Sequence, residues 1–330
     1  MNIDEFLNKT TLGDAFELIK AIPDKSVNLV ITSPPYFNQR IYTDSPCEIG
    51  REPNIDEYLE KLIEIIQQCY RVIQDDGSII LNVGDKYIES NLMLVPWRLA
   101  LLVQQKTKLT LINQVTWVKQ NPTPRQFTRR MVNATEPFFH WVKNHKYKYY
   151  YDRLATSGQK KFNTAHTKIG EGYYNQIQDS DLTPEQKKLA VQELDDVIEE
   201  IKAGKLTSLR MKIKGKHSLP FGGQEGGRKT QIETKGFTII RVPGNGMVRD
   251  VYECAVENIK GINHPAIYPQ QIVEHFITLT TDINDVVLDP FMGSGTTMVG
   301  AQNLKRKFIG FELNQDFIVG AEKRVETSQT

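Results

Sequence analysis

The sequence predicts an α/β sheet covered by helices on both faces and interrupted by a basic insertion. Three observations carry this. Short β-branched apolar runs alternate with helical stripes through residues 1–145. The same rhythm returns from Pro269 to the C-terminus. Between them the 330-residue chain turns polar, basic and turn-rich.

The elements follow in order. Residues 26–32 (SVNLVIT) read as a strand that stops at Ser33-Pro34-Pro35, where proline has no N–H for a ladder. Ile55, Leu59, Leu62, Ile66 and Ile73 form a helical stripe, with Asn54 placed to cap its start and Gly77 to close its end. Residues 78–83, 110–118 and 137–142 read as further strands. In the middle block Thr183-Pro184-Glu185-Gln186 opens a helix running to about Lys202, with Gly204 to close it. A helix over 270–280, a buried strand over 285–288, a helix to about Leu304, a strand over 307–312 and a last helix from Gln315 complete the pattern.

Composition sets the outer bounds. With 39% hydrophobic and 25% charged residues, wholesale disorder is excluded. No apolar run approaches the ~18 residues of a membrane span, and the polar start MNIDEFLNKTTLGD lacks the apolar core of a secretory signal. Cys47, Cys69 and Cys254 are scattered, with neither disulfide nor zinc spacing, which points to a reducing cytoplasm and no metal. The net charge of +1 argues, as an average, against a nucleic-acid partner. The distribution reverses this. Residues 205–249 hold ten Lys/Arg against Glu225 and Glu233, a surplus of +8 that leaves the remainder at −7.

Two motifs carry chemistry. In VVLDPFMGSGTT a strand ends at Asp289, and Gly293 and Gly295 loosen the backbone before a helix. The next strand ends at Glu312, an acidic tip suited to both hydroxyls of a ribose. The loop is neither GxGxxG nor GxxxxGK[ST], which favours a nucleoside ligand without a pyrophosphate. The second motif, Thr32-Ser33-Pro34-Pro35-Tyr36, lies at the carboxyl end of a strand. A serine hydroxyl beside a carbonyl fixed by proline makes a pair of acceptors for an amino group, and Tyr36 offers a ring for a planar base.

Together, DPFMGSGTT and TSPPY resemble the S-adenosylmethionine-dependent DNA amino-methyltransferases of restriction–modification systems. The order, TSPPY first and the glycine loop last, resembles the β class. The likeness covers roughly residues 8–145 and 250–325. It implies a Rossmann-like, seven-stranded, mostly parallel sheet with one antiparallel strand and helices on both faces. An inserted target-recognition domain would span 146–249, between catalytic parts at 1–145 and 250–330. It also implies S-adenosyl-L-methionine as cofactor, held by Asp14, His264, Pro265, Asp289, Phe291, Gly293, Ser294, Gly295, Thr296 and Glu312. Ser33, Pro34, Pro35 and Tyr36 would hold the target amine, with segments 117–124 and 135–137 lining its pocket. A base flipped from duplex DNA would be methylated without a covalent enzyme intermediate.

Family members with Ser before Pro-Pro most often modify cytosine N4, so Ser33 favours N4-cytosine; N6-adenine, or an RNA or protein amine, is the alternative. Lys212, Lys214, Lys216, Gln224, Arg228 and Lys229, in the basic and Gly-rich block, are the expected DNA contacts. A restriction endonuclease is the implied functional counterpart, and both a monomer and a homodimer fit the sequence. A catalytically silent DNA-binding module and a dehydrogenase are the competing classes; cofactor titration separates them.

Overall fold

The computed structural model describes residues 2–38, 48–122, 129–154, 170–218, 227–242, 248–257 and 268–328. The chain forms two compact units, residues 1–154 with 249–330, and residues 155–248. In the first unit the elements are β1 (Lys9–Leu12), α1 (Ala15–Lys20), β2 (Val27–Thr32), α2 (Ile55–Val72), β3 (Ile73–Asn82), β4 (Tyr87–Ile88), β5 (Asn91–Leu92), α3 (Val95–Lys106), β6 (Thr110–Lys119) and β7 (Thr135–Val142). The second unit contains α4 (Glu171–Gln178), α5 (Pro184–Lys202), β8 (Ser208–Ile213), α6 (Arg228–Lys235) and β9 (Phe237–Val242). The chain then returns to the first unit with β10 (Val251–Cys254), α7 (Gln270–Thr280), β11 (Val286–Asp289), α8 (Thr296–Asn303), β12 (Lys307–Glu312) and α9 (Gln315–Ser328).

The main sheet has eight strands in the order β1-β12-β11-β2-β3-β7-β6-β10. Only β7 runs against the rest, pairing antiparallel with both β3 and β6. The expected mixed, mostly parallel sheet is therefore present, with eight strands where the resemblance implied seven. The edge strands β1 and β10 escaped the sequence reading because, being largely exposed, they lack the apolar run that marks the equally short β11.

Central strands in a sheet covered on both faces must be apolar throughout. All six residues of β2 are buried, and alternate residues serve opposite cores. Val30, Ile79, Leu81 and Trp141 pack with Ile19, Leu62, Ile66, Leu99 and Val103 of α1, α2 and α3. Leu29, Ile31, Ile80 and Val287 pack with Ile272, Phe276, Met298, Ala301 and Ala321 of α7, α8 and α9.

Helix starts follow their caps. Asn54 accepts the Glu57 N–H at 2.9 Å and opens α2. At α5, Thr183 accepts the Gln186 N–H while the Gln186 side chain accepts that of Thr183, a complete capping box. Gly77 does not close α2. The helix ends at Val72, its next residue is already extended, and Gly77 lies inside β3. There the register with β2 jumps, and a Cβ on Gly77 would stand 2.8 Å from the Asn28 carbonyl. The glycine is required by the bulge, not by the helix.

Residues 147–154, assigned to the middle block by composition, pack on the first unit. Tyr150 donates its N–H to Leu279 O, and Arg153 pairs with Asp282. The second unit has its own core, in which Ile177, Leu194 and Ile198 of α4 and α5 meet Met211, Ile213 and Phe237 of the β8–β9 pair.

Gly77→Ala should lower unfolding free energy by about 1–3 kcal/mol, the usual range for forcing a methyl into a packed strand pair. Urea denaturation with an unchanged slope checks it.

Candidate active site

The loops leaving β2 and β11 carry the two motifs, and these strands are neighbours: Val287 pairs with Leu29 and Leu288 with Val30. From β11 the chain passes through α8 to β12 on one side, and from β2 through α2 to β3 on the other. The connections diverge, leaving a crevice at the carboxyl edge, the place where open α/β sheets bind ligands. The crevice is a cleft of about 860 Å³, open mouth included. Gly13, Asp14, Ser33, Pro34, Pro35 and Tyr36 line one part; Phe291, Gly293, Ser294, Thr296 and Glu312 line another.

Asp289, expected to touch a cofactor, lies beneath this wall. It is 1% exposed. One oxygen accepts the Thr32 hydroxyl at 2.5 Å and the Phe291 N–H at 3.0 Å. The other accepts the hydroxyls of Thr297 at 2.6 Å and Tyr268 at 3.2 Å. Burial raises its carboxyl above the ordinary range, and these four donors oppose the rise. With four donors on its oxygens, Asp289 shapes the loop from behind the cleft wall. Gly295 is likewise behind the wall. Its φ is +76°, and a Cβ would stand 2.6 Å from the Ala321 Cβ, so α9 demands the glycine rather than a ligand. Ser294 is nearly buried and, with Thr296, takes hydrogen bonds from Arg324.

Glu312 faces the cleft from the tip of β12. Its oxygens accept the N–H groups of Gly293 at 2.8 Å and Asn314 at 2.9 Å. Burial raises this carboxyl while those N–H groups lower it. A carboxylate has about four acceptor positions, so it keeps capacity for hydroxyl donors. Asp14 also lines the cleft, with one oxygen spent on capping α1 through the Glu17 N–H. Among the described residues three acids (Asp14, Glu48 and Glu312) line the cleft and no Lys or Arg does. That charge pattern suits a cationic nucleoside and disfavours a pyrophosphate. Phe291, Phe311, Phe317, Ile49 and Tyr268 supply the apolar wall.

At the TSPPY turn the Pro35 carbonyl is taken by the Tyr58 hydroxyl at 2.9 Å. The Pro34 carbonyl accepts no hydrogen bond among the described residues. Ser33 donates to the Tyr36 hydroxyl at 3.2 Å, whose single proton is shared between Asn82 Oδ1 at 2.8 Å and Glu136 Oε2 at 3.2 Å. The Tyr36 ring is clamped: a Cβ on Gly84 would meet its Cε2 at 2.3 Å. One ring edge is thereby committed to packing.

His264 and Pro265 lie outside the described residues, as do Gln224 and Cys47. The end of that histidine segment is described: Tyr268 donates to Asp289, and Pro269 caps α7. Sequence reasoning missed Glu48, Ile49 and Phe317 on the cleft wall and Asn82 behind it; Lys119 and Glu136, also behind it, fall in the segments 117–124 and 135–137 expected to line the target pocket. Asn82 left a trace as the polar residue closing an apolar strand (SIILN); Glu48 and Phe317 left none. Burial pushes the Cys69 thiol up to about 12 and that of Cys254 up to about 11, so neither is a nucleophile at neutral pH.

In the second unit Arg210 and Lys212 alternate with the buried Met211 and Ile213 along β8, and Lys214 and Lys216 follow in the exposed turn. The acids of α5 neutralise other basic residues: Glu193 pairs with Lys235, and Glu200 with Arg241. Arg228 and Lys229, expected in a Gly-rich loop, form the first turn of α6, and Gln231 accepts a hydrogen bond from Thr238. Lys229 stands 3.9 Å from Glu233.

A mostly parallel sheet with an acidic, nucleoside-sized cleft and a Ser-Pro-Pro turn defines a Rossmann-like transferase. A family model for DNA methylases of the N6/N4 type matches residues 27–323, so the chain belongs to that family. Among relatives, type II methyltransferase M.SfiI of Streptomyces fimbriatus is 25% identical, over 93% of this chain and 88% of its own. M.BglII of Bacillus subtilis is 27% identical, over 95% and 68%. The solved PvuII DNA methyltransferase (cytosine-N4-specific) shares the fold at TM-score 0.60 and 16% identity, over 96% and 85% of the two chains. M1.HpyAVI, solved as a SAM complex, shares it at TM-score 0.53 and 19% identity, over 96% and 98%. The protein is thus a DNA methyltransferase. Among the described residues no helix is long and apolar enough to cross a membrane, and no His, Cys, Asp and Glu cluster suits a metal.

The two raised carboxyls make a stability prediction. A native state that binds protons more tightly than the unfolded chain is favoured at low pH. That contribution is fully present below the ordinary carboxyl range, about pH 4, and is lost as pH rises through the raised folded values of Asp289 and Glu312. In ligand-free Glu312→Gln the decline of stability above that range should be shallower than in the wild type, as read by urea denaturation at stepped pH.

Proposed function

We propose that the protein is a site-specific DNA methyltransferase. It moves a methyl group from S-adenosyl-L-methionine to the exocyclic N4 amine of a cytosine flipped out of duplex DNA, and protects host DNA in a restriction–modification system. The observation that carries the reading is the shared cleft. Ser33 and Pro34 line the same space as Phe291 and Glu312, so the residues of the acceptor pair and of the cofactor wall share one volume.

The residues suit the cofactor. Glu312 would hold the ribose hydroxyls, Phe291 and Phe317 would enclose the base, and the acidic lining would favour the cationic sulfonium end. When bound, the cofactor supplies an electrophilic methyl group. The chain's own task is positioning. The target amine is a weak nucleophile because its lone pair is delocalised into the ring. Hydrogen bonds from its N–H groups to Ser33 Oγ and Pro34 O would hold it and favour a more tetrahedral nitrogen. The buried thiols leave no place for a covalent adduct at Cys69 or Cys254.

Ser33 supports N4-cytosine, as does the name of the PvuII neighbour. Arg210, Lys212, Lys214 and Lys216 of the second unit, without an ion pair among the described residues, are the proposed phosphate contacts, joined by Arg228 and Lys229.

Plasmid DNA from cells expressing the protein, digested to nucleosides, should contain N4-methylcytosine by mass spectrometry. N6-methyladenine in its place would overturn the base assignment. Ser33→Ala should cut kcat about 100-fold with cofactor affinity within about threefold, the loss typical of one oriented acceptor.

A further inference from the structure

The hydrogen bonds behind Ser33 run in one direction, away from the cleft. Ser33 Oγ donates to the Tyr36 hydroxyl at 3.2 Å, and the single proton of that hydroxyl is shared between Glu136 Oε2 at 3.2 Å and Asn82 Oδ1. The other Glu136 oxygen is held by the Lys119 ammonium, and both side chains are largely buried. Asn82 Oδ1 accepts from the same tyrosine hydroxyl at 2.8 Å, and its orientation is fixed because its NH₂ donates to Pro137 O at 3.1 Å. Both groups facing the Tyr36 hydroxyl from behind are therefore acceptors, so its proton points outward. Ser33 must then donate to Tyr36, and no described residue donates to Ser33. The Ser33 lone pairs are left for the cleft.

The fold explains why a carboxylate stands there. Because β7 alone runs antiparallel, its first residues lie at the carboxyl edge of its neighbours β3 and β6. Glu136 near the start of β7, Lys119 at the end of β6 and Asn82 at the end of β3 therefore converge on Tyr36.

We propose that Glu136, anchored by Lys119, is a positioning residue that sets the direction of this hydroxyl chain and receives the proton released by the target amine. This rests on the amino-methyltransferase reading. As the nitrogen–carbon bond forms, the methyl–sulfur bond breaks and its electron pair stays on sulfur. The nitrogen keeps the pair of one N–H bond, and that proton passes to Ser33 Oγ. Ser33 gives its proton to Tyr36, and Tyr36 gives its own to Glu136, which becomes neutral. Asn82 cannot fill this role, since an amide oxygen is a poor proton acceptor at neutral pH, whereas the carboxylate is a competent one.

Single-turnover methylation of duplex DNA, with cofactor and DNA affinities measured separately by calorimetry, tests it in Glu136→Gln, Tyr36→Phe and the double variant. Each single change should slow methyl transfer about 100-fold, the scale of general acid–base assistance, with both affinities within about threefold of wild type. Because both act on one chain, the double variant should be no slower than the slower single. A Glu136→Gln rate within about threefold of wild type overturns the proposal, as does a double variant as slow as the product of the two losses. If Glu136→Gln instead loses cofactor or DNA binding, the Lys119 pair is a structural brace and the proposal fails. Tyr36→Phe, which keeps the ring against Gly84, still reports on the chain if Glu136→Gln does not fold. An inactive wild type would refute the functional reading itself, a separate result from failure of the relay.

Discussion

The site depends on one buried carboxylate. Asp289 ends β11 and accepts hydrogen bonds from Thr32, Phe291, Thr297 and Tyr268. Thr32 is the last residue before Ser33, and Phe291 lies in the glycine loop. One side chain thereby ties the turn that presents an amine site to the loop that lines the cofactor cleft, although the residues are 257 positions apart in the chain. Burying an ionisable group costs free energy unless it is fully bonded. Four donors meet that cost here and fix the relative placement of two loops whose strands pair only at Val287–Leu29 and Leu288–Val30. A looser link would leave methyl donor and acceptor free to drift, and positional error is the main loss in a reaction catalysed by alignment.

The rest of the molecule follows from where that link sits. The connections through α8 and α2 diverge at the β11–β2 boundary, so a crevice opens there without any special loop. Among the described residues its lining carries three carboxylates and no cationic side chain. The same sheet puts the single antiparallel strand, β7, next to β3 and two places from β2. That reversal delivers Glu136 to the catalytic edge instead of the opposite one. The two cores of the sheet are supplied by alternate residues of the same strands, so the edge is held from both faces.

Much of this was legible in the sequence, for physical reasons that can be named. The helix over Gln270–Thr280 and the strand over Lys307–Glu312 are read correctly because burial imposes a period strong enough to see. The start of α5 is read from a capping box that depends only on residues three apart. What was hidden is what depends on distant partners. Gly77 has the right spacing for a helix end, yet its role is set by Asn28 across the sheet. Gly295 has the look of a ligand-facing glycine, yet α9 sets its role. Asp289 stands out as chemistry, but only the fold shows the four donors that its oxygens meet within the protein. Arg228 and Lys229 follow a glycine run that suggests a loop, and local helix formation wins.

The charge balance yields to the same reasoning. An average of +1 describes neither surface nor partner, because charges act within a Debye length of about 10 Å. Within the second unit, α5 pairs Glu193 with Lys235 and Glu200 with Arg241. The basic residues of β8 and its turn are left outside those pairs, and they alternate with core residues that keep the strand in place. A solvated strand edge with unpaired cations is poorly explained by stability, since exposed like charges repel and add little to packing. It is well explained by a polyanion that neutralises them. The acidic cleft of the first unit suits a sulfonium nucleoside, and the basic strand of the second has the opposite sign, as the proposed phosphate contacts require.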